Sequence, residues 1–399
     1  MRPDVGASKA EVVRIGFIPL LDAAPLIAAS ELGFARREGV AIELLRETSW
    51  ATLRDRLAVA HLDAAHILAP IAIADSLGLT PLPVGLVVPM ALGTAGNTIT
   101  VSRDILADLM RHGADASLDP VRGARAFASL VAERRAAGLP PLSLAIVHAY
   151  SAHHYQLAYW LAWAGVRPGT DVELVVIPPS LTTAALQSSR IDGFCVGEPW
   201  GSLAASIGVG QIVTTSSHIW QRSPDKVLGV RRTFADKAPE RTAALVRAVY
   251  RAACWCADAD NQSELASLLA RRDLIGQPAD VIRSALARRF EMSSAAADRG
   301  GFLSFCADGA TLPRRDHGAW FLAQMVRWGQ AKLTASSIAA VRETYRPDLF
   351  EAALSSIAPC STASSAKAEV LFDGTPFDPD RIAEYIGGFA VRARDGSGS

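Results

Sequence analysis

Five side chains of this 399-residue sequence, Trp50, Asn97, His153, His154 and Lys226, share a chemistry that becomes visible when their local contexts are compared. Indole and ammonium groups only donate hydrogen bonds, and amide and imidazole N–H groups donate as well, so a pocket assembled from them suits a small acceptor-only anion. Taken singly, each has an ordinary explanation: core packing for Trp50, a turn for Asn97, a helix start for the histidines, a solvated charge for Lys226. Their shared placement at turns and crossings is what supports the anion reading. Trp50 opens SWATLRDRL, Asn97 lies in TAGNTITVS and Lys226 in SPDKVLGV. Ser151 after LSLAIVHAY is a good helix N-cap, which sets His153 and His154 in a first turn. There the free backbone N–H groups and the positive end of the helix dipole attract anions.

Something must hold these turns together, and the pattern around them says what. From Val12, β-rich runs alternate with helical ones: VVRIGFIPL, APLIAASELGFARREG, VAIELLRE, SWATLRDRLAVAHLD, AAHILAP. After NTITVS a second alternating series begins, through LSLAIVHAY, SAHHYQLAYWLAWAG, VELVVIP, SLTTAALQSSR, GFCVGE and PWGSLAASIG. The rhythm predicts βαβ units and two parallel-sheet lobes of α/β class. GQIVTTSSHIW followed by KVLGVRRTF returns the chain to the first lobe, and Pro239 opens a long helical region reaching about Phe350. Breaks are expected at Gly276 to Pro278 and at Gly300 to Gly301, a surface loop over 358–368, and a disordered tail over 391–399. The division is therefore 11–100 with 227–390 for one lobe and 101–226 for the other, the crossings acting as hinges around a cleft. Ligands of open α/β sheets lie outside the carboxyl ends of strands, where these turns fall.

Composition limits the alternatives. Half the residues are apolar, a fifth are charged, and 40 basic residues balance 40 acidic ones, so no global field favours nucleic acid or an anionic membrane. Five cysteines do not form an even disulfide framework, and MRPDVGASKAEVVRIGFIPL has no apolar leader segment; both suggest the cytosol. No Walker loop, G-x-S-x-G or H-E-x-x-H is present, and Cys254-x-Cys256 lacks the second pair of a structural zinc site. Neither an enzyme nor a bound cofactor or metal is expected.

The segments SWATLRDRL, AAHILAP, NTITVS, HHYQLAYWLA, IDGFCVGEPW and DKVLGV, with the ending LFDGTPFDPDRIAEYIGGFAV, closely resemble the nitrate-binding receptor family of nitrate and bicarbonate uptake systems, over roughly residues 11 to 390. The resemblance implies a two-lobed fold of the periplasmic-binding-protein type (type II). It also places Trp50, Asn97, His153 and Lys226 at the family's anion-contacting positions. Two positions depart from the family pattern: Asn97 replaces a glutamine and is one methylene shorter, which leaves both a direct and a water-bridged contact open, and His154 replaces a glycine. Bicarbonate-binding relatives carry an acidic residue where Lys226 stands, so Lys226 favours nitrate or nitrite. With no leader visible, the likeness is greatest to the cytoplasmic nitrate sensors that hold a response-regulator-like RNA-binding antiterminator inactive until the anion arrives. The alternative is the substrate-binding protein of a nitrate transporter. As the pocket's only full positive charge, Lys226 is expected to matter far more for binding than for folding.

Overall fold

The computed structural model describes residues 12–287, 302–357 and 370–393. The expected break at Gly300 to Gly301, the surface loop over 358–368 and residues 394–399 of the tail lie outside these. Two five-stranded sheets organise the chain. Strands β1 (Val12–Phe17), β2 (Ala41–Arg46), β3 (Ala64–Leu68) and β4 (Leu86–Ala91) belong to the first, and a two-residue β5 (Thr94–Ala95) follows. The second sheet takes β6 (Asn97–Ser102), β7 (Leu142–Ile146), β8 (Val172–Val176), β9 (Gly193–Gly197) and β10 (Gly210–Thr215). The chain then re-enters the first sheet as β11 (Lys226–Arg231), and β12 (Leu303–Ser304) pairs with β5.

The sheets have the same plan. In the order β2-β1-β3-β11-β4, β1 is parallel to β2 and β3, and β11 is antiparallel to β3 and β4. In the order β10-β6-β9-β7-β8, β7 is parallel to β8 and β9, while β6 runs antiparallel to β9 and β10. The strand that crosses in from the other sheet, β6 or β11, is thus the antiparallel insertion in each. Local chemistry accounts for the helices between. Ser49, Ser102, Asp119 and Ser151 cap the starts of Trp50–Ala58, Arg103–Arg111, Pro120–Ala136 and Ala152–Trp163 by accepting backbone N–H bonds. The segment read as one helix from Ala24 is two, Ala24–Glu31 and Phe34–Arg37. Gly33 between them, at φ +78°, takes a left-handed conformation that most side chains avoid.

The two crossings lie side by side. The first runs through Gly93 to Gly96, where a Cβ on Gly93 would stand 2.6 Å from the Ser304 carbonyl oxygen. The second runs from Ser216 to Asp225, and the Ala95 N–H donates to the Ser223 carbonyl at 2.7 Å. Asn97 and Lys226 are the first residues of the strands that leave these crossings. The segment after Val370 forms a further tie between the lobes, since the Phe372 N–H donates to the Ile219 carbonyl at 2.8 Å and Trp220 bridges to Leu371. Among the described residues no helix is long and apolar enough to cross a membrane.

Candidate functional site

Lys226 pairs in register with Leu68 at the carboxyl end of β3, and its side chain is only 1% exposed. A buried ammonium must find partners for its N–H groups. Its Nζ lies 2.8 Å from Asp22 Oδ2, donates to the Asp225 carboxylate, donates to Asn97 Oδ1 at 3.4 Å and stands 3.2 Å from His153 Nε2. Asp22 follows β1 in a short turn, Asn97 opens β6 in the opposite sheet, and His153 lies in the first turn of Ala152–Trp163. The lysine therefore joins groups carried by both lobes.

The lysine also sets the protonation of its neighbours. An ammonium has no lone pair, so His153 Nε2 must accept, and the ring proton resides on Nδ1. That Nδ1–H is buried and has no partner among the described residues, and the same is true of the Trp50 indole N–H. Burial and the adjacent Lys226 push the His153 pKa well below its usual value, in keeping with a neutral ring. Trp50 reaches the cluster through His66, whose ring centroid is 5.4 Å from its own and whose Nε2 lies 2.8 Å from Asp22 Oδ1. Asn97 is oriented by its own amide, which donates to Gln156 Oε1 at 3.1 Å, while the Gln156 amide donates to Ser223 Oγ at 2.5 Å. Gly197 of GFCVGEPW completes the wall: a Cβ there would sit 3.3 Å from Asn97 Oδ1 and 3.4 Å from Lys226 Nζ. His154 turns elsewhere, its Nδ1 lying 2.8 Å from the Ala149 carbonyl oxygen and its ring stacked on Tyr155 at 5.2 Å.

Two carboxylates change the electrostatics drawn from the sequence. Burial alone would raise the Asp22 carboxyl, but Lys226 and His66 hold it well below the usual range. At Asp225, burial pushes the carboxyl up, Lys226 pulls it down and Asp22 raises it again, leaving it raised, at about 6. Lys226 loses by burial and gains more from the two carboxylates, so it stays charged. The picture of a pocket made of donors only is thus incomplete: Lys226 is already compensated. Nor is Lys226 a residue for binding alone, since two buried carboxylates depend on it. Asp22, Asp225, His66 and Gln156 were not singled out from the sequence. The available signal was an isolated polar residue in an apolar run, as in IPLLDAAPLI and AAHILAP, where a buried polar group requires a partner.

Residues 6–270 match the NMT1-like family. The chain belongs to that family. Within it, the sequence is 30% identical to the nitrate/nitrite binding protein NrtA of Synechococcus elongatus, over 97% of this chain and 88% of the relative. It is 31% identical to the nitrate import ATP-binding protein NrtC of Synechocystis, covering 94% of this chain but only 55% of that longer protein. The crystal structure of the periplasmic nitrate-binding protein NrtA from Synechocystis superposes with a TM-score of 0.84 at 27% identity, over 96% of this chain and 99% of that one. The fold is accordingly the two-lobed α/β fold of the periplasmic binding proteins, and the chain falls in the substrate-binding family of nitrate and bicarbonate systems. Among the described residues no group of three or more His, Cys, Asp or Glu side chains is arranged to hold a metal ion.

Proposed function

We propose that the protein binds nitrate or nitrite between its lobes, at Trp50, Asn97, His153 and Lys226, without catalysing a reaction. The observation that carries this reading is a pair of buried donors, the His153 Nδ1–H next to Lys226 and the Trp50 indole N–H, which have no acceptor among the described residues. A relative alike along nearly the whole chain is described as a nitrate/nitrite binding protein, which supports the choice of anion. Calorimetric titration of the anion-free protein with nitrate, nitrite, bicarbonate and chloride tests it. Nitrate or nitrite should bind and chloride should not; tighter binding of bicarbonate would refute the assignment.

The role proposed for that binding is cytoplasmic sensing. The closed, anion-bound form releases a response-regulator-like RNA-binding antiterminator that fits the open form, because a ligand shifts the equilibrium only by its differential affinity for the two forms. The coupling is reciprocal, so the partner must weaken nitrate binding by the factor by which nitrate weakens partner binding. Co-purification of wild type and Trp50→Ala with a candidate partner, with and without nitrate, tests the idea. Nitrate should dissociate the wild-type complex and leave the variant complex intact; equal dissociation in both, or none in wild type, would refute it. The second reading is a transporter's substrate-binding protein, which the likeness to the periplasmic nitrate-binding protein NrtA of Synechocystis supports.

A further inference from the structure

The helix Ala152–Trp163 that brings His153 to Lys226 carries Tyr159 and Trp163 on its later turns, and these two line a different pocket of about 420 Å³. The other walls are Arg327, the last residue of Arg315–Arg327, with Asp373, Tyr385 and Phe389 from the carboxyl-terminal segment. The size falls within the usual range for small-molecule sites.

Arg327 is an unusual wall residue. It is 3% exposed, its guanidinium carbon sits 3.7 Å from the centroid of the Phe389 ring, and its Nε–H donates to the Val391 carbonyl at 3.1 Å. Its Nη1 is buried with no partner among the described residues. Burial draws its pKa down to about 10, which leaves it cationic at neutral pH. The second charge, the Asp373 carboxylate, accepts the Tyr159 hydroxyl at 2.9 Å and the Thr375 N–H at 3.0 Å, and is not among the hydrogen-bond acceptors of Arg327. The pocket thus presents an under-used cation, a separate anion and the aromatic rings of Trp163, Tyr385 and Phe389. A ligand bearing one sign of charge would pair with one of these groups and desolvate the other, whereas a zwitterion pairs with both.

We propose that this pocket binds a free α-amino acid with an aromatic or apolar side chain, its carboxylate on Arg327, its ammonium on Asp373 and its side chain against the aromatic walls. An Arg fork matches a carboxylate, and the rings supply the apolar contact. Such a ligand would tie the lobe-two helix to the carboxyl-terminal segment at a point separate from Lys226. None of the residues involved is shared with the anion site, so success or failure here is independent of the nitrate reading.

The test is calorimetry on the full chain with L-phenylalanine, L-glutamine, 3-phenylpropanoate, which lacks the ammonium, and phenethylamine, which lacks the carboxylate. L-phenylalanine should bind, and each truncated analogue should bind at least about tenfold more weakly, the usual effect of losing one charge-assisted hydrogen bond. Asp373→Asn, a nearly isosteric change at a half-buried position, should weaken L-phenylalanine by a similar factor, with unchanged circular dichroism. Arg327→Lys, which keeps the charge but loses the fork, should weaken it as well. No heat from L-phenylalanine at up to about 10 mM, equal affinity for 3-phenylpropanoate, or an unaffected Asp373→Asn variant would overturn the proposal, since millimolar binding is the weakest that calorimetry reads well. Tighter binding of L-glutamine would overturn the side-chain assignment.

Discussion

Replacing Lys226 by methionine, which has nearly its length and no charge, should cost the protein much of its stability at neutral pH and far less in acid. In the wild type, Nζ lies 2.8 Å from Asp22 Oδ2 and bonds to Asp225, all three side chains being almost fully buried. Removing one partner of a buried ionic cluster strands the others, at about 3 to 5 kcal/mol. That is a large part of the roughly 5 to 15 kcal/mol that holds a folded domain together. The pH dependence has a definite sign. In the wild type Lys226 helps keep the Asp22 pKa low, so Asp22 contributes stability above its unfolded value near 3.8, and this is lost as pH falls through the lower folded value. In Lys226→Met the carboxyls lose that attraction and their folded pKa values lie above the unfolded ones. The penalty is then present at high pH and relieved by protonation as pH falls, at about 1.4 kcal/mol per pH unit for each proton taken up. Urea unfolding of both proteins at pH 7.5 and pH 5.0 measures this. The gap in unfolding free energy should be several kcal/mol at the higher pH and clearly smaller at the lower. A gap under about 1 kcal/mol at pH 7.5, or one independent of pH, would show that Lys226 does not hold two buried carboxylates.

Nitrate binding should strengthen as pH falls through about 6, because an ionised Asp225 beside Asp22 makes the site hostile to a third negative charge, and its protonation removes one. Calorimetry at pH 7.5 in buffers of different ionisation enthalpy should then report proton uptake with the anion; identical heats in all buffers would refute this. His153→Ala should weaken nitrate binding by about 1 to 3 kcal/mol, while His154→Ala, whose ring is turned to the Ala149 carbonyl, should change it little. The reverse ranking in the same titrations would place the wrong histidine in the site. Trp50→Phe keeps a buried aromatic ring and deletes only the indole N–H, so it should weaken nitrate by about 1 kcal/mol or more, with the melting temperature nearly unchanged. An unchanged affinity would remove Trp50 from the anion's contacts.

The alternation of strands and helices was legible in the sequence because its causes are local. Period-two runs such as NTITVS and caps such as Ser151 act within a few residues, and the structure has a strand and a helix start at these places. The placement of Trp50, Asn97, His153 and Lys226 at the beginnings of elements was visible, because an element's beginning is a local signal. Two helices in place of one around Gly33 show the limit of even that reading, since whether a glycine ends a helix depends on what the following residues pack against. What the sequence could not supply was the state of charge of the site. Asp22 is 204 residues from Lys226, and neither its apolar neighbours nor its spacing reveals that β1, β3 and β11 lie adjacent, with their ends at one place. Proton positions follow from the same adjacency: only when Lys226 Nζ is 3.2 Å from His153 Nε2 must the ring proton sit on Nδ1. Residue types and local order were therefore written in the chain, whereas the pairing of charges was decided by the fold, because Coulomb and desolvation energies depend on distance and burial rather than on position in sequence.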